Sequence, residues 1–522
     1  MQGLSQFYIF IGFLLALLIL HVSLICQYNT DFTYTGLLNR FTNGINGDVV
    51  TVDPSNSSDF LNVEKFSNLQ IENLRRIKIR QQLHSKYPNF NDELRDLKIG
   101  KLNFLHTTDT HAWYMGHLSQ RQYSSDWGDL SSFISNFKEL LNNKNDEQLS
   151  DLLVIDTGDR HDGQGLSDLS FPNGLYSNRI YSQLSDDIDL ITVGNHELYK
   201  AEVSLLEFNT IVPKFKEKFI STNVEIYDKS ENKFVVFGNS RYRYFETKLN
   251  KFKVLSFSFL FDFKRYNELI RVTPIMDLIK QDWFLELLND FKLNHQVDII
   301  VIFGHIPVDH SWLELFELHN TIRSFFPNTP IQYFGGHSHI RDFTVLDNLS
   351  AGLQSGRYCE TLGFLSIKDL PNNASNPTST ISSSSSSSSW VEENIDRKYI
   401  DFNLHSFMYH TNKTSLTDFN TEKGLTISNE IYNIANKELN LNEKFGFVPK
   451  NYYMEATSYP SDNSLLSLLS DKILVQLENK ICGVPETKEQ DQFYKSNEDN
   501  SRIIIINTGS IRYDLYKGTR TR

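Results

Sequence analysis

From about residue 27 to 98 the chain is polar and irregular, and the pattern then changes abruptly. From Lys101 onward, short apolar runs bounded by Gly, Asp and Asn alternate with longer segments of helical periodicity. Leu102–Leu105, Leu152–Ile155, Ile188–Val193, Lys253–Leu260, Val297–Phe303, Ile331–Phe334 and Phe364–Ile367 have the length and β-branched or aromatic content of buried strands. Asp129–Asn142 and Ile275–Leu293 place apolar residues on one helical face. Strands alternating with helices predict an α/β sheet architecture.

Two segments interrupt this texture. The stretch Pro371–Ser389 ends in eight consecutive serines from Ser382 and is too polar to bury a core, so it reads as a linker. At the N-terminus, Phe7–Cys26 contains no Lys, Arg, Asp or Glu and is long enough to span a bilayer. No basic residue precedes it and no clear small-residue cleavage site follows it. It therefore reads as a signal anchor or a signal peptide, and either would send the chain into the secretory lumen.

The expected organisation is residues 1–26 as that leader, 27–98 as a lumenal stem and 99–370 as an α/β catalytic domain. The linker then covers 371–395 and a second domain 396–522, with a helix at Ser464–Asn479 and a strand at Arg502–Ile506. The stem contains one helix-like charged stretch, Val63–Lys86.

Composition adds a constraint. The formal net charge of −13 argues against nonspecific binding to nucleic acid polymers, which requires a basic surface. It does not argue against a phosphorylated substrate, because bound cations reverse the local field. Sequons at Asn56, Asn348, Asn373 and Asn412 agree with a lumenal chain. Cys26, Cys359 and Cys482 define no disulfide framework.

The chemistry lies in five short blocks, four of them directly after an expected strand. They are Asp109-Thr-His111, Gly158-Asp159-Arg-His161-Asp162-Gly163, Gly194-Asn195-His196-Glu197, Gly304-His305, and Gly336-His337-Ser-His339. Strand ends of an α/β sheet form one rim where such loops converge. No single block is diagnostic; the set of five, in order and each glycine-marked or strand-adjacent, is. Carboxylate, imidazole and one amide oxygen without thiolate suit Zn, Mn, Fe or Co as a pair of divalent ions. Two such ions about 3.5–4 Å apart can share a hydroxide that attacks phosphorus in line.

These blocks resemble the calcineurin-like metallophosphoesterases, and Leu105-His-Thr-Thr-Asp-Thr-His111 resembles the opening motif of their 5′-nucleotidase branch. Gly-Asp-Arg-His-Asp-Gly with Gly-Asn-His-Glu-Leu-Tyr is most similar to fungal, vacuole-type members. The resemblance resumes at Asn507-Thr-Gly-Ser-Ile-Arg512, similar to the arginine motif of the second 5′-nucleotidase domain.

The resemblance implies a four-layer αββα sandwich followed by part of a second α/β domain, which in this family continues past the arginine motif. It implies one ion on Asp109, His111 and His339, another on Asn195, His305 and His337, and Asp159 bridging them. It casts His196 as the residue beside the reacting phosphate and Asn507 and Arg512 as substrate contacts. The expected substrate is a small phosphoester, a 5′-nucleotide or nucleotide conjugate, and the expected location is the vacuole or cell surface. A phosphodiesterase, a nucleotide-sugar hydrolase and a membrane-tethered scaffold without turnover remain as alternatives. One departure stands out: many relatives carry an Asp three residues after the catalytic His, and here that place is Tyr199. Asp162 and His161 are the nearby candidates for its replacement.

Overall fold

The computed structural model describes residues 94–474, apart from 118–119, 143–148, 164, 310, 372–388 and 455, and residues 511–521. The leader, the stem helix, Cys482, the strand at Arg502–Ile506 and Asn507 lie outside the described residues. Among the described residues, no helix is long and apolar enough to cross a membrane. The chain divides into two compact units, one of 82–451 with 515–522 and one of 1–81 with 452–514.

The larger unit is built on two mixed sheets. In the first, β1 (Leu102–Thr107), β2 (Asp151–Asp156) and β3 (Leu190–Ile191) run parallel. Strands β4 (Val224–Asp228), β5 (Lys233–Val236) and β8 (Ile270–Val272) form a small separate sheet. The second large sheet comprises β6 (Tyr242–Glu246), β7 (Lys253–Leu260), β9 (Ile299–His305), β10 (Ile331–Gly335), β11 (Arg341–Asp347) and β12 (Ser350–Ser355), in the order β11-β12-β10-β9-β7-β6. Strands β13 (Thr361–Ile367) and β14 (Ile395–Asp401) complete the first, ordered β14-β13-β1-β2-β3. β14 pairs antiparallel with β13 across the serine tract, so the first sheet continues beyond the expected boundary at residue 370. An antiparallel pair of β15 (Lys444–Val448) and β16 (Gly518–Thr521) also belongs to this unit.

Side-chain alternation along the strands creates the layers. In β9, Ile299, Val301 and Phe303 join Leu102, Phe104, Ile155 and Leu365 in a core between the sheets. Ile300 and Ile302 point the other way, into a core shared with helices α3 (Asp282–Asn294) and α4 (Leu313–Phe325). Behind the first sheet, α1 (Trp127–Asn142) packs with α5 (Glu422–Asn433) around Leu105, Phe133, Phe137 and Ile427. The result is a sandwich of helix, sheet, sheet and helix.

Local chemistry explains where elements differ from expectation. α1 begins at Trp127, because Asp126 and Asp129 cap each other's backbone N–H at 2.8 and 3.0 Å. The expected helix at Ile275–Leu293 is broken: Gln281 is extended and restarts it as α3, with Phe284, Leu288 and Phe291 buried. Only Leu190 and Ile191 of the expected third strand pair, and the chain then leaves the sheet towards Gly194.

In the smaller unit, Ser464 caps a short helix, Leu465–Leu468, by accepting from the Ser467 amide. The Met454 amide donates to Asp514 Oδ1 at 2.8 Å.

Candidate metal centre

The end of β9 and the loops after β1, β2 and β10 bring six of the seven expected ligand residues to one place. Asp109, His111, Asp159 and His339 form one group of converging donor atoms, and Asp159, His305 and His337 form a second. Asp159 belongs to both. Asp159 Oδ2 lies 2.9 Å from His305 Nε2 and 3.8 Å from His111 Nε2. His339 Nε2 is 3.2 Å from both Asp109 Oδ1 and His111 Nε2. Asn195, the seventh, stands between Gly194 and His196, whose backbones both approach Asp159, and its Oδ1 is buried and without a hydrogen-bond partner.

Outer contacts fix which atoms face inward. His111 Nδ1 donates to the His161 carbonyl at 2.7 Å, and His305 Nδ1 to the Thr157 carbonyl at 3.0 Å. Each ring therefore spends its Nδ1–H outside and turns Nε2 towards the centre. Phe261 stacks on the His337 ring with centroids 4.1 Å apart. Five of the seven residues, Asp109, His111, Asp159, His337 and His339, have positive φ without being glycine. Such strain persists only where surroundings enforce it, and it clusters at functional sites. At Gly194 any Cβ would lie 2.2 Å from Asp159 Oδ1, so this loop pair can approach only without a side chain.

The charge states suit the same purpose. Burial, with His196 alongside, lowers His111 to about 3, and burial with His305 alongside lowers His337 to about 4. Both rings are neutral ligands at physiological pH. Burial would lower His305 too, but Asp159 and Asp109 outweigh it and raise the ring to about 9. Burial pushes the Asp159 carboxyl up, yet His305 and His196 prevail and hold it well below the usual range. A largely buried set of two carboxylates and four imidazoles, with the orphaned Asn195 oxygen in the adjoining loop, fits two divalent cations, one of which would displace the His305 proton.

Beside the cage, His196 donates its backbone N–H to Asp159 Oδ1 at 2.8 Å, and its Nε2 is 3.9 Å from Asp159 Oδ2. Its Nδ1 faces Asp162 Oδ2 at 2.8 Å. Of the two candidates for carboxylate support, Asp162 makes this contact; His161 instead turns away, to Glu207 at 3.3 Å. Arg512 belongs to the smaller unit.

The sequence reading assigned no role to two residues that hold the loops. Glu197 is buried, and its carboxylate accepts from the amides of Asp159 (3.0 Å), Arg160 (2.6 Å), His161 (3.2 Å) and Gly194 (2.6 Å), stapling the second and third blocks together. Arg160, also buried, donates to Asp156 Oδ1 at 2.9 Å and to the Thr192 carbonyl at 2.8 Å, and pairs with Glu207. Arg160→Met strands Asp156 and Glu207 as buried anions. It should lower unfolding free energy by about 3–5 kcal/mol, read from denaturant curves. A loss below about 1 kcal/mol would show that the network is not needed for stability.

Residues 102–341 match the calcineurin-like phosphoesterase family, and residues 451–522 match the C-terminal domain of NAD nucleotidase. A Saccharomyces cerevisiae protein is 42% identical over 442 residues, 83% of this chain and 67% of its own length. A secreted protein of Arthroderma benhamiae is 37% identical, over 82% of this chain and 63% of its own length. The crystal structure of a 5′-nucleotidase from Candida albicans superposes with a TM-score of 0.70 at 44% identity, covering 82% of this chain and 71% of that one. The chain thus spans about two thirds of these relatives' length. It belongs to the calcineurin-like phosphoesterase family, with a match to a 5′-nucleotidase C-terminal domain. It is a metal-dependent phosphoester hydrolase.

Proposed function

We propose that the chain removes phosphate from 5′-nucleotides or nucleotide conjugates in the secretory lumen, with the catalytic centre on the loops of residues 99–370 and nucleotide recognition by the segment 451–522. The observation that carries this reading is the convergence of six donor side chains in two groups sharing Asp159, with the unpartnered Asn195 amide oxygen in the adjoining loop. Asp109, His111 and His339 hold one ion (Zn, Mn, Fe or Co), Asn195, His305 and His337 the other, and Asp159 both. Two divalent cations there supply Lewis acidity at the phosphoryl oxygens and bring water to a nucleophilic pKa near neutrality. His196, beside Asp159 and backed by Asp162, protonates the departing sugar oxygen. Asn507 and Arg512 contact the substrate phosphate and sugar, the planar guanidinium suiting a bidentate grip.

The match to a NAD nucleotidase C-terminal domain supports nucleotides over other phosphoesters. The apolar Phe7–Cys26 run and the secreted relative support a lumenal location, at the vacuole or cell surface. Asn348 and Asn412 are exposed, as glycan acceptors must be.

Purified full-length chain with Mn²⁺ should release phosphate from AMP faster than it cleaves bis(p-nitrophenyl) phosphate or a nucleotide sugar. EDTA should stop the reaction, and Mn²⁺ should restore it. Preference for the diester or the nucleotide sugar would overturn the substrate assignment.

A further inference from the structure

Asn195 is the one amide among the donors, and an amide has two faces that are chemically opposite. Its oxygen can ligate a cation; its NH₂ group repels one. Something must therefore set which face looks into the cage. Asn195 Oδ1 is buried and lacks a hydrogen-bond partner, whereas Nδ2 donates to the Tyr199 hydroxyl at 3.1 Å. Tyr199 is itself held in place. Its ring meets the His196 ring edge-on at 5.0 Å and the Phe263 ring edge-on at 5.3 Å. Phe263 is buried and close to Phe261, the ring that stacks on His337.

We infer that Tyr199 is a positioning residue for the second ion. Its hydroxyl holds the Asn195 amide with the oxygen turned inward, and its ring packs against His196. The inference rests on the reading of Asn195 as a ligand. Position 199 lies four residues beyond Asn195, just past the turn closed by the Leu198 amide on the Asn195 carbonyl at 3.1 Å, and three residues beyond His196. A carboxylate there would be drawn to the His196 imidazole, but Asp162 already occupies His196 Nδ1 from the neighbouring loop. Outer partners of this kind typically set metal affinity within about 10–100-fold.

The test is Mn²⁺ binding to the metal-stripped full-length chain, measured by calorimetry and by metal content after gel filtration. Wild type should bind two ions. Asn195→Ala should lose the second, the one assigned to Asn195, His305 and His337. Tyr199→Phe, which keeps the ring and its packing, should bind the first ion normally and the second about 10–100-fold more weakly. In the Asn195→Ala background, Tyr199→Phe should have no further effect on metal content, because the group it orients is gone. Wild-type affinity for both ions in Tyr199→Phe, with one ion lost in Asn195→Ala, would overturn the role of Tyr199 alone. Retention of both ions in Asn195→Ala would overturn the ligand assignment beneath it.

Discussion

Asp159→Asn should abolish metal-dependent phosphate release, with turnover of AMP falling by more than about 10³-fold. The substitution is nearly isosteric. The side-chain oxygen can still accept the His196 amide, now 2.8 Å from Oδ1, so the third block keeps its tether to the second. What changes is the atom at Oδ2, the one shared by both donor groups and 2.9 Å from His305 Nε2. An NH₂ at that position offers hydrogens where both groups need a lone pair and a negative charge. Metal content should fall alongside turnover, while circular dichroism and the unfolding midpoint show a folded chain. Unchanged turnover in Asp159→Asn would refute the assignment of the centre.

Much of this site was legible in the sequence, for a physical reason. Ligands that must converge from five strand ends leave local marks: a glycine where the backbone turns or two loops touch, and a filler residue that sets two side chains to one side. Gly194 shows the first, with no room for a Cβ against Asp159; His337-Ser-His339 shows the second. The parallel strands were legible because both of their faces are buried, which makes them continuous apolar runs, as in Ile299–Phe303.

Long-range partners were not legible. Nothing local to Glu197 says that its carboxylate binds four amides from two loops, and nothing local to Phe261 says that it will stack on His337. Nor does composition show that β14, beyond a serine tract, returns to pair with β13. The break before α3 was hidden because Gln281 is neither Gly nor Pro; its extended backbone answers to the packing of Phe284 and Leu288. The choice between Asp162 and His161 as the support of His196 also needed distances, since both lie in one loop and only the fold turns His161 towards Glu207.

That choice leads to the second large effect. His196→Ala should reduce AMP turnover by about 10²–10⁴-fold, the usual contribution of a positioned acid, with metal content unchanged. The size should depend on the leaving group. A sugar alkoxide is a poor one and needs a proton as the bond breaks; p-nitrophenolate is stable enough to leave without it. The variant should therefore lose far more activity on AMP than on p-nitrophenyl phosphate. Asp162→Asn should show the same leaving-group bias in weaker form, because it removes the charge that faces His196 Nδ1 at 2.8 Å and leaves the ring in place. In the double variant the two losses should not add, since Asp162 acts only through His196. Equal losses on both substrates in His196→Ala would show that this ring steadies the phosphoryl group and does not deliver the proton. Full activity in Asp162→Asn would show that the 2.8 Å contact does not contribute to turnover.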